Sequence, residues 1–137
     1  IELKEFSVLC LILKNLAFFG KNLNLLNELK LFTRENSLIL DKLTSGLEKN
    51  TTIDINEIDL DPQLIERIYS FASIKYILEK NVLDEKKIFE LYDEIRRDLK
   101  NLELEARINE LEAKFSKDFS ENTFKELKEL KKLQKIN

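Results

Sequence analysis

The chain has 137 residues, of which 43% are hydrophobic and 36% are charged, with only two Gly and one Pro. This length corresponds to about one domain, and the composition is typical of an all-α protein rather than of a disordered or β-rich one. The formal net charge of -3 gives no basic excess for binding a phosphate backbone, so direct nucleic-acid binding is not expected. The longest apolar run, Val8 to Leu13, is far shorter than the ~20 residues of a membrane span.

Cys10 is the only cysteine and lies in that apolar run, so it is interpreted as a small buried hydrophobic side chain. An intrachain disulfide is impossible, which fits the reducing cytoplasm where we expect the protein to act. The chain also contains no Met, even at its first residue. We therefore expect a processed chain or a domain cut from a larger protein, in which any catalysis would belong to the missing part.

The first part of the chain predicts a bundle built around one central helix. This helix is apolar on nearly all sides and is expected to end near Gly20. Its two apolar faces consist of Leu3, Phe6, Cys10, Leu13 and Ala17, and of Leu9, Ile12 and Leu16. A short second helix is expected from Leu23 onward, and Thr33 is predicted to cap a third helix. That third helix carries Leu38, Leu40, Leu43 and Leu47.

Residues 49–60 predict a linking loop with room for one short extended piece. After this loop, Asp61, Asp84 and Ser120 are predicted N-caps, because apolar residues flank each of them at the positions that clamp an entering chain. Pro62 follows the first cap, at the helical position where its missing N–H costs nothing. The helix that begins there is expected to bury Ile65, Ile68, Phe71, Ala72 and Leu78.

Residues 84–116 predict one long helix, because apolar side chains recur in steps of three and four and nothing interrupts them. The stripe consists of Ile88, Leu91, Ile95, Leu99, Leu102 and Ala106. At 1.5 Å per residue the helix spans roughly 50 Å, longer than the ~26 Å diameter of a 100-residue domain. Its far end is therefore expected to project and to contact a partner.

The end of the chain predicts a helical hairpin. After a turn at residues 116–120, Phe124, Leu127 and Leu130 can pack back antiparallel on the long helix. Leu127, Leu130 and Leu133 are three apart, and steps of three drift around a helix by about 60° each, so some of them must face away from the hairpin. The expected organisation is thus a globular bundle at 1–100 and a hairpin at 101–137, which share the long helix.

No residue pattern predicts catalysis or a bound cofactor. The chain has no His and no glycine-rich phosphate loop, and its single Cys excludes a thiolate zinc site. The acidic and amide residues of the 54–61 segment resemble a calcium loop only faintly, because Asp59 and Ile65 stand where Gly and Glu are required. Glu90, Glu94 and Asp98 share a helical face, which is interpreted as solvated. We therefore expect a non-catalytic domain without metal or cofactor.

Three segments, in this order along the chain, carry a resemblance to a known family. They are the helix Val8-Leu9-Cys10-Leu11-Ile12-Leu13-Lys14-Asn15, the helix Leu102 to Phe115 with its Glu-Leu-Glu phrases, and the ending that runs from Phe119-Ser120-Glu121 through Leu127, Leu130 and Leu133. Together they resemble the C-terminal helicase-binding domain of bacterial DnaG-type primases, and the resemblance covers nearly the whole chain.

The resemblance implies a helical bundle followed by a hairpin that binds the N-terminal domain of the DnaB-type replicative helicase. Such a domain recruits primase to the replication fork and modulates the helicase, while primer synthesis belongs to separate parts of the primase. The family's contact helix corresponds to residues 124–137 here. The partner-binding residues predicted on this basis are Phe115, Phe119, Phe124, Leu127, Lys128, Leu130, Lys131, Leu133, Gln134 and Lys135.

Two other functions remain open from the sequence. The N-terminal domain of the helicase is itself similar in fold in that family, although the hairpin at the end of the chain favours the primase. Alternatively, the chain could be an unrelated helical dimerisation or adaptor domain, which a stable dimer in light scattering would indicate. For the primase domain we expect a monomer without membrane contact.

Overall fold

A computed structural model describes residues 2–71, 83–117 and 121–136 of the chain. These ranges contain seven α-helices, one short 3-10 helix and no strand, which confirms the predicted all-α fold. The helices are α1 (Glu2–Lys14), α2 (Leu16–Lys21), α3 (Leu23–Glu28), α4 (Arg34–Lys49), α5 (Pro62–Phe71), α6 (Glu85–Lys117) and α7 (Glu121–Ile136), and the 3-10 helix is Ile55–Glu57.

The chain divides into two compact units, Ile1–Arg96 and Arg97–Asn137. We call them the bundle unit and the hairpin unit. Their boundary lies inside α6, slightly before the boundary predicted at residue 100. The helix therefore gives its first part to the bundle unit and its remainder to the hairpin unit.

Helix α1 forms the centre of the bundle unit. It packs against α2, α4 and α5, and all its residues from Glu5 to Leu13 are buried. This burial on all sides agrees with the absence of a polar face from that part of the sequence. Leu3 and Ala17 were also expected on a buried face, but both are exposed. The buried run begins only at Glu5, and Ala17 lies beyond the end of α1.

The first helix does not continue to Gly20 as predicted, because it is interrupted at Asn15. The Asn15 side chain turns back and donates from Nδ2 to the Leu11 carbonyl, 2.9 Å away. Its backbone leaves the helical region at φ -135° and ψ 43°, and α2 starts at the next residue. A short amide side chain that bonds to its own backbone offers the chain an alternative to continued helix. The periodicity of apolar residues does not detect such a break.

Helix α4 begins after Thr33, as predicted, but the Thr33 side chain makes no capping hydrogen bond. The segment that leads into α4 is held instead by the carboxylate of Glu5, which is fully buried in α1. Its oxygens accept from the backbone N–H of Phe32 at 2.5 Å, from that of Thr33 at 3.2 Å, and from Asn36 Nδ2 at 3.0 Å. These three donors provide hydrogen-bond partners for a carboxylate that has no contact with solvent.

The connection after α4 is a loop, as predicted, and it contains no strand, although its residues Asn50, Asp54 and Ile58 have extended backbones. The segment instead forms the 3-10 turn, in which Asp54 Oδ1 accepts from the backbone N–H of Asn56 at 3.2 Å. The start of the segment lies close to α2. A Cβ atom on Gly20 would come within 2.6 Å of the Thr51 carbonyl oxygen, so this contact requires glycine.

Asp61 and Asp84 cap α5 and α6 as predicted. Asp61 Oδ1 accepts from the backbone N–H of Gln63 at 3.0 Å, and Asp84 Oδ1 accepts from that of Lys87 at 2.8 Å. Ile68 is fully buried in α5, and Ile65 is half-buried. The remaining predictions for this region, namely the cap at Ser120 and the burial of Ala72 and Leu78, fall outside the described residues, as does the side chain of Phe71.

The first part of α6 packs through a stripe that differs from the predicted one. Tyr92 lies at its centre, between Ile88 and Ile95, and is 1% exposed, whereas the expected Leu91 is only half-buried. The Tyr92 hydroxyl donates to the Leu25 carbonyl, and its ring lies 5.4 Å from that of Phe19. Burial raises the pKa of Tyr92 to about 12. An amphipathic ring with a partner for its hydroxyl thus occupies a core position.

Candidate docking surface

The aspartates of the segment that resembles a calcium loop make local backbone hydrogen bonds. Asp54 and Asp61, both from the calcium-like segment, each accept from a backbone N–H two residues further on. Across the described ranges, no group of three or more His, Cys, Asp or Glu side chains could hold a metal ion. These residues therefore account for local turns and helix starts.

A cleft with a volume of about 390 Å³ lies in the bundle unit, between α4 and the segment that follows it. Ile53, Ile58 and Gly46 contribute to its apolar part. At its rim, Lys42 Nζ donates to the Asp59 carbonyl at 3.0 Å, which ties the segment to α4. The volume lies within the range of ligand pockets. The charges of both signs around the rim select no ligand class.

The hairpin unit is held by a small apolar seam between α6 and α7. Ile108, Leu111 and Leu127 form its buried cluster, and Leu130 packs against them. The end of the long-helix stripe was predicted at Leu102 and Ala106, but Leu104 is buried instead, Leu102 is half-buried and Ala106 is exposed. Leu104 stands four and seven residues before Ile108 and Leu111, so it lies on the same face of α6 as these two seam residues.

Two ion pairs bridge the hairpin on either side of this seam. Arg107 Nη2 lies 2.7 Å from Glu126 Oε1, and Lys131 Nζ lies 2.9 Å from Glu112 Oε1. The pair with Glu126 raises the pKa of the Arg107 guanidinium. Glu103 lies four residues before Arg107 in α6, the spacing of a favourable pair within one helix. The pairing of Arg107 with Glu126 depends on the register of the two helices, and local sequence spacing does not determine that register.

The two large apolar side chains exposed on α7 lie on opposite flanks of the helix. Phe124 is 52% exposed and Leu133 is 49% exposed. They are nine residues apart, and at about 100° per residue this separation amounts to two and a half turns. Since Leu127 faces the seam, Phe124 lies on the flank of the Lys131–Glu112 pair and Leu133 on that of the Arg107–Glu126 pair. One flat partner surface cannot cover both.

The flank that contains Phe124 carries the more extensive candidate surface. The Phe124 ring lies 5.8 Å from that of half-buried Phe115. Lys128, Lys131 and Lys135 follow on α7 at four, seven and eleven residues from Phe124, the spacing of one helical face. We call Phe115, Phe124 and these three lysines the docking stripe.

The ten predicted partner-binding residues therefore fall into separate groups. Five of them form the docking stripe. Leu127 and Leu130 belong to the seam, and Leu133 lies on the opposite flank. Gln134 is exposed and lies on the seam side of the last turn. Phe119 and the side chain of Lys135 are outside the described residues, so Lys135 is placed by its helical position alone.

Comparison of the chain with protein-family models, with curated proteins and with solved structures finds no match in any of the three. The resemblance to the primase domain accordingly stays a prediction. A further finding concerns membranes: in the ranges that the structure describes, no helix combines the length and the apolar character needed to cross a bilayer.

Proposed function

We propose that this chain is a non-catalytic docking domain that binds a partner protein through the docking stripe of its hairpin. The observation that carries the proposal is Phe124, a large aromatic side chain that lies half-exposed against Phe115 and beside exposed lysines. Aromatic residues are enriched among the hot spots of protein interfaces, where a polar rim surrounds them. A single exposed leucine, as at Leu133, needs no such explanation.

The partner in this proposal is the N-terminal domain of the replicative helicase, and the chain is the helicase-binding domain of a bacterial primase. The order of bundle, long helix and terminal hairpin supports this assignment through the resemblance. In this role the domain acts in the cytoplasm as a monomer, recruits primase to the replication fork and modulates the helicase. The absence of His from the whole chain supports a role without acid–base catalysis by imidazole.

The test compares two substitutions on opposite flanks of one helix. Phe124→Asp is expected to weaken binding to the helicase N-terminal domain by about 2 kcal/mol or more, as at an interface hot spot. Leu133→Asp is the matched control, since its side chain is equally exposed, and it is expected to leave the affinity unchanged. Isothermal titration calorimetry measures binding, and circular dichroism checks that both variants keep their helicity.

The possible outcomes separate the alternatives. If the unaltered chain does not bind the helicase domain, that partner is wrong. If Leu133→Asp rather than Phe124→Asp weakens binding, the opposite flank is the docking surface. A stable dimer in light scattering that Phe124→Asp dissociates would instead favour a dimerisation domain. Leu127→Asp is not a docking variant, because a charge in the seam should unfold the hairpin.

A further inference from the structure

We infer that the docking stripe receives an α-helix whose contacting face carries a bulky apolar residue followed by acidic residues. This inference rests on the proposed function, in that it takes the stripe as the docking surface, and it adds the chemistry of the partner. The relevant observation is the order of side chains along α7: one aromatic residue, then three lysines on the same face.

The charge of the stripe selects its partner. Lys128 is exposed and has no ion-pair partner among the described residues, while Lys131 Nζ lies 2.9 Å from Glu112 at the edge of the seam. Helix α7 as a whole contains five Lys and three Glu. Glu121 lies on the face of Phe124 and Lys128, one turn before Phe124, but no Glu lies on that face after Phe124. A complementary surface therefore needs acidic side chains beside its apolar contact.

The shape of the stripe favours a helix as the occupant. Eleven residues of α7 separate its first and last positions, a distance of about 16 Å, or three turns. A partner helix presents side chains at the same spacing and can pack ridge into groove along this length. An extended peptide would need an unpaired sheet edge, and the described residues contain no strand.

A second copy of the chain fits this surface less well. Stripe placed against stripe would bring lysines of the two copies together, and like charges in contact disfavour association. Of the acidic groups that a second copy offers here, Glu112 is already bonded to Lys131, and Glu121 is a single carboxylate on a face with three lysines. A single-stranded nucleic acid would contact the lysines and stack a base on Phe124, but the net charge of -3 and the carboxylates of Glu112 and Glu121 beside the stripe disfavour a polyanion.

The inference is tested with two designed helical peptides of 21 residues and the full chain. Both peptides carry the same leucines on one face, and their flanking positions are all Glu in one and all Lys in the other. Titration into the 15N-labelled chain is expected to shift the backbone resonances of Phe124, Lys128 and Lys131 with the acidic peptide only. Absence of shifts with the acidic peptide, or equal shifts with both, would overturn the inference.

Two variants make the titration specific. Lys128→Glu is expected to weaken binding of the acidic peptide by about tenfold, equivalent to about 1.4 kcal/mol. Lys125→Glu is the matched control, because Lys125 is equally a surface lysine of α7 but lies about a quarter turn from the stripe, and it should have little effect. Equal weakening by the two variants would indicate attraction by net charge alone and would reject the stripe as the site.

Further arms of the experiment identify other occupants. The same shifts on addition of a single-stranded DNA 20-mer, or on concentrating the chain without peptide, would assign the stripe to polyanions or to a second copy and overturn the inference. Titration with the helicase N-terminal domain distinguishes a failure of this inference from a failure of the proposed function. If the acidic peptide binds and the helicase domain does not, only the helicase assignment fails. If the helicase domain binds the Lys128→Glu variant with the affinity of the original chain, the inferred acidic helix is wrong and the proposed function stands.

Discussion

The bundle unit and the hairpin unit differ in how completely they bury their apolar side chains. In the bundle unit five successive residues of α1, Val8 to Ile12, have no exposed surface. In the hairpin seam 6–9% of the surface of Ile108, Leu111 and Leu127 stays exposed to solvent, and Leu130 is only partly buried. Two helices can cover only one side of each other, so they leave apolar surface available for a third.

This difference separates a self-sufficient part of the molecule from a part suited to binding. In the bundle unit the buried carboxylate of Glu5 accepts three hydrogen bonds from residues of the same unit. The hydroxyl of Tyr92 donates to the Leu25 backbone carbonyl. The hairpin unit has a smaller seam, flanked by exposed ion pairs that contribute little to stability. We therefore expect the hairpin to open at a lower free energy than the bundle and to gain stability when a partner binds.

The largest expected effect comes from matched leucine truncations in the two units. Leu43→Ala removes a side chain with no exposed surface from the bundle and should lower the free energy of unfolding by about 2–5 kcal/mol. Leu127→Ala should mainly lower the free energy of local opening of the hairpin. Denaturant unfolding and native-state hydrogen exchange measure the two effects. If Leu127→Ala reduces protection in α1 as much as Leu43→Ala, the units unfold together and the comparison fails.

The next effect concerns the buried carboxylate of Glu5. Glu5→Gln keeps the shape of the side chain but replaces one acceptor oxygen with a donor, opposite the N–H groups of Phe32, Thr33 and Asn36. We expect a loss of about 2 kcal/mol in urea unfolding, because a buried donor is left unsatisfied. Glu2→Gln on the same helix is the control, since Glu2 is exposed in its pair with Arg67. Equal losses in both variants would show that charge near the start of α1, not burial, is responsible.

Glu5 also shows what the sequence could and could not predict. The all-α class, the long helix and the caps at Asp61 and Asp84 follow from spacing and local chemistry, which the sequence contains. The role of Glu5 depends on residues about thirty positions away, and a single Glu in an apolar helix gives no sign of them. Tyr92 was missed for a similar reason: its acceptor at Leu25 exists only in the folded bundle.

The candidate site was predicted with the same limitation. The sequence correctly indicated that some leucines of α7 face away from the seam, because three-residue steps drift around a helix. The nine-residue spacing alone places Phe124 and Leu133 on opposite sides of α7, but their positions relative to the seam depend on the register against α6, which places Leu127 in the seam. The cross-hairpin partners Glu112 and Glu126 likewise depend on that register.

A smaller effect tests the packing of α6 in the bundle. Tyr92→Phe removes the hydrogen bond to Leu25 and should cost about 1 kcal/mol at neutral pH. The pKa of Tyr92 is about 12 in the folded protein, against an ordinary value of 10.0. The unfolded chain therefore loses this proton first, so the stability due to the buried hydroxyl is complete below pH 10 and is lost as the pH rises toward 12. Thermal unfolding between pH 8 and 11.5 should fall more steeply for the original chain than for Tyr92→Phe, and parallel slopes would contradict the assignment.

The smallest effect is expected in the hairpin, at the ion pair between Lys131 and Glu112. Lys131→Gln should lower stability by roughly 0.2–1 kcal/mol in 50 mM salt and by less in 1 M salt, because the pair is exposed and screened. Lys132→Gln is the control, since Lys132 is the neighbouring lysine on α7 and is exposed. Hydrogen exchange of the hairpin amides at both salt concentrations measures the difference. A loss for Lys131→Gln that persists in 1 M salt would mean that the side chain stabilises the hairpin by packing of its methylene groups over the seam, and the hairpin would then depend less on charge than the comparison with the bundle implies.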